Sequence, residues 1–153
     1  MIAFIESTLT IILRDLDKLE TEIASYPDQD SVWIVRGEIK NSAGNLCLHL
    51  CGNLQHFVGF VLGSSGYVRD REKEFSTRGL PIESLVREVA KTKESVKMAL
   101  EHLDPGLLEK IYPITVFEKP MTTMYFLIHL TAHLEYHLGQ INYHRRILAA
   151  RQE

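Results

Sequence analysis

The chain has 153 residues, 45% hydrophobic and 24% charged, with a formal net charge of -3 and a pI near 6.2. That length suits one domain, 1–153, which can bury a core without disulfide or metal staples. The charge balance excludes a basic footprint for nucleic acid, and no uncharged run reaches the roughly 18 residues that a membrane span needs.

The first segment, about Ile2 to Ser25, steps its apolar residues by three or four: Ile5, Leu9, Ile12, Leu16, Leu19, Ile23. This is one buried face of a helix. Glu6, Arg14 and Asp15, with no basic leader, argue against a signal peptide. "SYPDQD" ends the helix, and "SVWIVRGEIK" is β-branched, either extended or a loop crossing the bundle. A second helix opens near Asn41–Ser42, where serine can cap it, and ends near Gly63–Gly66. "GYVRDREKEFSTRGLP" reads as a long charged connection. Pro81 suits the first turn of a third helix, which follows Leu85, Val86, Val89, Val96, Leu100 and Leu103 until "DPG". "LLEKIYPITVFEKP" is irregular or a short extended pair. The last helix begins near Thr122–Thr123 and runs to about Ala149. Four amphipathic helices predict an all-α, four-helix bundle, its helix order left open by the long second connection.

The last helix carries His129, His133, His137 and His144. With His129 at zero and about 100° per residue, the other three fall at roughly 40°, 80° and 60°. Thr131, Glu135, Asn142, Arg145 and Arg146 gather on the far side. A charged face normally meets solvent, so the histidine stripe is expected to face the interior, flanked by Phe126, Leu130 and Ile147. A lone core histidine is usually just hydrogen-bonded, but four on one stripe need another explanation. His133 and His137, at i and i+4, offer two imidazoles to one metal ion. No Glu follows His133, so the HExxH protease pattern is absent. A third ligand should come from a facing helix. The second helix is apolar almost all round and has one polar stripe, Asn45, His49, Asn53 and His56. Either His49 or His56 can complete the set. Gly44, Gly52 and Gly59 suggest close helix approach or room for a ligand. Cys47 and Cys51 point roughly 160–200° away from His49. They read as buried thiols at a helix or subunit contact, and two cysteines make no secreted framework, which favours a reducing, cytoplasmic setting.

"HLTAHLEYHLGQI" resembles the HxxxHxGQ signature of the DinB-like (DinB/YfiT-like) metalloenzyme superfamily. "NLCLHLCGNL" resembles its second-helix element, in which a histidine precedes Gly-Asn. "GYVRDREKEF" is similar to the connection of one uncharacterised branch. The matches run in order from about Asn41 to Ile147. The resemblance implies a four-helix bundle, often a homodimer, in which His49, His133 and His137 hold a divalent metal. It prefers His49 to His56 by its place before "LCGN". His129 and His144 are then left to support or line the cleft, or simply to fill the core. Imidazole ligands suit Zn²⁺ or Ni²⁺ best, with Fe²⁺ or Mn²⁺ also compatible. Relatives include transferases that use a low-molecular-weight thiol and proteins labelled metal-dependent hydrolases, and a non-catalytic metal-binding bundle is the third reading. In either enzyme the partner is a small molecule. Arg69, Arg71 and Arg78 are candidates for holding a carboxylate, or belong to a solvated loop. Gly52, Asn53 and the charged connection are expected around the pocket.

Overall fold

The computed structural model describes residues 1–149. It is all-α. The helices are α1 (Ile2–Ala24), α2 (Ala43–Leu54), α3 (Arg71–Ser76), α4 (Ile82–Glu101) and α5 (Thr123–Ala149). Among the described residues, β pairing is confined to one isolated bridge between Ile111 and Thr122.

The long helices form a bundle in which α1 and α2 each pack against both α4 and α5. α1 and α2 therefore occupy opposite corners, and the connection between them crosses the bundle. "SVWIVRGEIK" does this as a loop with one 3-10 turn, Ser31–Trp33. Its Trp33 ring lies over Gly44, where any side chain would collide with it, and Trp33 Nε1 donates to the Leu80 carbonyl at 3.1 Å.

α1 buries Ile5, Ile12, Leu16, Leu19 and Ile23, the face that the spacing predicts. Asp15 joins this face with no exposure. Its carboxylate accepts two bonds from Arg14, at 2.8 and 3.0 Å. A buried charge needs such partners. Arg14 also reaches Glu135 on α5 at 2.7 Å.

α2 is the most enclosed helix, with every residue but Leu48 buried. Ser42 caps it, accepting from the Asn45 N–H at 3.2 Å. Beyond Leu54 the helix widens into a π stretch, Gln55–Phe60. The hydroxyl of Tyr112 donates to the Phe57 carbonyl within that stretch at 2.6 Å. Such wide turns often occur at functional sites, and this one begins between His49 and His56. Cys47 and Cys51 are both fully buried inside the chain. They serve a contact between helices and are not available to a second subunit.

α5 meets its neighbours differently from the expectation. On the side expected to face solvent, Asn142 and Arg145 instead reach α1: Asn142 donates to Glu22 at 2.7 Å, and Arg145 pairs with the same carboxylate at 2.5 Å. The expected core residue Ile147 is 53% exposed. Tyr125, Ile128, Tyr136 and Tyr143 are exposed alongside it. The outward face is thus aromatic and aliphatic, and the polar residues lock α5 to α1.

Candidate metal centre

Histidines from two helices converge where α2 passes α5. His49 Nε2 lies 3.2 Å from His133 Nε2. The His133 and His137 rings are 4.6 Å apart, and His49 and His137 are 5.5 Å apart, centre to centre. One ring nitrogen from each of the three lies within 4.8 Å of the others, a group that could hold a metal ion. Ligands about 2.0–2.1 Å from one tetrahedral Zn²⁺ sit roughly 3.3 Å from each other. The His49–His133 separation matches that.

The donor chemistry also fits a metal. Gln140 Oε1 lies 2.7 Å from His137 Nδ1. An amide oxygen only accepts, so Nδ1 carries the proton and Nε2 keeps its lone pair. Gln140 is the glutamine of "LGQ", which gives that motif a physical task. His49 Nδ1 faces the Glu74 carboxylate at 3.0 Å. His133 Nδ1 is buried without a partner.

The remaining histidines have other surroundings. His56, the second residue of the π stretch, stacks on Phe60 and lies edge-on to Phe57. Its Nδ1 is buried without a partner, and among the described residues it does not join the three-histidine group. His129 stacks on Phe126, with its centre 6.1 Å from that of His133; it flanks the group. His144 is held at both nitrogens, by the Tyr26 hydroxyl at 2.7 Å and the Ile34 carbonyl at 3.1 Å. It pins the crossing loop to α5 and belongs to the core.

The charged connection is more ordered than its composition suggests. Asp70 accepts from the Lys73 N–H at 3.1 Å and caps α3, which delivers Glu74 to the histidines. Arg69 grips Glu74 with two nitrogens, at 2.7 and 2.9 Å. Arg78 donates to the Phe75 and Thr77 carbonyls, and Arg71 lies over the Phe75 ring. Arg69 is thus committed to Glu74, whereas Arg78 is exposed and bonds those carbonyls through one nitrogen. Gly52 stands directly against the Glu74 carboxylate. Glu74 is the site residue that sequence reasoning misses; the signal available was a glycine one turn beyond His49 in an otherwise enclosed helix. A groove of about 560 Å³ opens beside His137, between Ile39–Asn41, Leu46 and Tyr136.

Residues 3–152 match the family model described as "Protein of unknown function (DUF1572)". The chain belongs to this family. No curated protein and no solved structure matches it. The DUF1572 description names no activity, so chemistry must be argued from the site.

In this DUF1572 chain the two ligand candidates on α5, His133 and His137, are tuned towards the neutral form that binds metals. Burial pushes the His133 imidazole down to about 4, and its neighbours His137, His49 and His129 add to the effect. Burial also holds His137 and His144 below the ordinary range. A histidine whose folded pKa is below its unfolded value of about 6.5 binds its proton more tightly in the unfolded chain. Stability is then full above about pH 6.5 and is lost as pH falls from there towards 4. Metal-free protein should therefore resist urea less at pH 5 than at pH 7. The His133→Gln variant should lose less over the same interval; equal losses would contradict this origin.

Proposed function

We propose that this DUF1572 chain is a divalent-metal-dependent enzyme of the DinB-like superfamily, with His49, His133 and His137 as ligands and Zn²⁺ or Ni²⁺ as the metal. The observation that carries the reading is the trio itself: three imidazoles from two helices, two of them with Nδ1 bonded to an acceptor and Nε2 left for an ion. A divalent ion in such a site lowers the pKa of a thiol or water that binds it. The rest falls to the chain. α2 and α5 hold the ligands, and the groove beside His137 gives a small molecule a mainly apolar place to lie.

Between thiol transfer and hydrolysis, one observation favours the thiol. Water starts much further from neutrality than a thiol, so the metal has more to do, and the carboxylate against the trio, Glu74, is already bonded to both Arg69 and His49 and is not free to act as a base. A low-molecular-weight thiol starts from a pKa near 8.5 and needs no such base. The test is a screen of zinc- or nickel-loaded protein with small thiols and electrophiles, beside activated esters. The reading expects metal-dependent thiol conjugation exceeding any ester hydrolysis. Hydrolysis alone would reassign the reaction, and no metal-dependent rate in either assay would leave a metal-binding bundle.

The proposal extends to a cytoplasmic homodimer. Support for pairing comes from the outward face of α5, where Tyr125, Ile128, Tyr136, Tyr143 and Ile147 are all more than half exposed. Contiguous apolar surface of this kind marks interaction sites. Light scattering at micromolar concentration should give twice the 17.5 kDa chain mass, and Tyr136→Glu should return it to one; a wild-type monomer would contradict the pairing.

A further inference from the structure

We infer that Glu74 is a positioning residue that fixes the tautomer and direction of His49, a role that rests on the metal reading of the trio. Glu74 is only 5% exposed. A carboxylate buried that far must be paired, and Arg69 alone would satisfy it through its two bonds. The carboxylate nevertheless also faces His49 Nδ1 at 3.0 Å.

Several features of the chain converge on that contact. α2 has no side chain at Gly52, and the space is taken by the Glu74 carboxylate. Asn45, fully buried one turn before His49, donates its amide to the carbonyls of Glu74 and Thr77 at 3.0 and 2.9 Å. The helix that presents His49 therefore also grips the backbone of the residue that orients it. Gly52 and Asn45 are separate positions on α2, and both are shaped around α3.

The chemical consequence follows from donor and acceptor counting. An ionised carboxylate only accepts, and a guanidinium only donates. Arg69 also reaches His49 Nδ1 through one nitrogen, at 3.5 Å, but the Glu74 carboxylate is closer, at 3.0 Å. The shorter contact, to an atom that can only accept, favours the His49 proton on Nδ1. The lone pair is left on Nε2, the atom nearest His133. Arg69 also occupies both carboxylate oxygens, which keeps Glu74 from swinging in as a ligand itself. A carboxylate behind a ligand histidine raises its basicity and sets its direction.

The test uses the full chain, zinc alone as the probe, and two readouts. Zinc affinity is measured by competition with a chromophoric chelator. The His49 tautomer is read by long-range ¹H–¹⁵N correlation in metal-free protein labelled at histidine. The wild type should show the Nδ1–H form at His49. Glu74→Ala should weaken zinc about 10–100-fold, the range typical for loss of such a partner, and shift His49 towards the Nε2–H form. Glu74→Gln, whose amide oxygen can still accept, should recover part of the affinity and the Nδ1–H form. An ion pair that only anchored α3 would change stability while leaving the tautomer alone. Wild-type affinity with an unchanged tautomer in folded Glu74→Ala overturns the assignment. If that variant does not fold, Glu74→Gln decides: several-fold weaker zinc supports the role, and unaltered zinc overturns it. If wild-type protein binds no zinc, the metal reading fails by itself, and the metal-free tautomer still decides whether Glu74 orients His49.

Discussion

Gly52→Ala destabilises the protein by about 2–4 kcal/mol, although alanine is the better helix former by about 1 kcal/mol. The added methyl would lie on the Glu74 carboxylate. A surface glutamate could swing its far end aside at little expense. This one cannot, because Arg69 holds both oxygens and His49 faces one of them. Moving it strands a guanidinium that is 12% exposed, and breaking a buried pair costs about 3–5 kcal/mol. The helix-propensity gain offsets only part of that. Equilibrium urea unfolding of the metal-free variant checks the sign. A variant as stable as the wild type would mean that the carboxylate has another place to go.

His133→Ala and His137→Ala each weaken zinc by more than about 100-fold, beyond what losing an outer hydrogen-bond partner does. Each removes one donor from a set of three, and two imidazoles hold a divalent ion poorly. Controls come from the same helix. His129→Ala should keep zinc, since its ring stacks on Phe126 outside the group. His144→Ala should also keep zinc but unfold more easily, since it abandons Tyr26 and the Ile34 carbonyl. Full zinc retention in both His133→Ala and His137→Ala would make the stripe a structural feature of the core.

The bundle was readable because its signals are periodic. Apolar steps of three and four along α1 and α4 match their buried faces, and the unbroken apolar character of α2 matches its enclosure. The i, i+4 spacing of His133 and His137 placed two imidazoles side by side. Periodicity could not choose between His49 and His56. Both share the polar stripe of the second helix, and only the tertiary contact of His49 with His133 tells them apart. Periodicity also misjudged α5, where long polar side chains reach α1 and tyrosines take the outer face. Polarity is a poor guide to exposure when the polar groups are paired across helices. Glu74 was hidden for another reason. In "DREKEF" five of the six residues are charged, and α3 is too short to show a repeat. Its identity depends on the contacts with Gly52, Arg69 and His49, which are tertiary.

The central claim is that His49, His133 and His137 form a metal site. Metal analysis of wild-type protein, prepared without a histidine tag and dialysed after loading with zinc, tests it most directly. The account predicts near one zinc per chain in the wild type and little in a His49→Ala, His133→Ala double variant that stays folded. Equal metal in the two proteins, or none in loaded wild type at neutral pH, would contradict it.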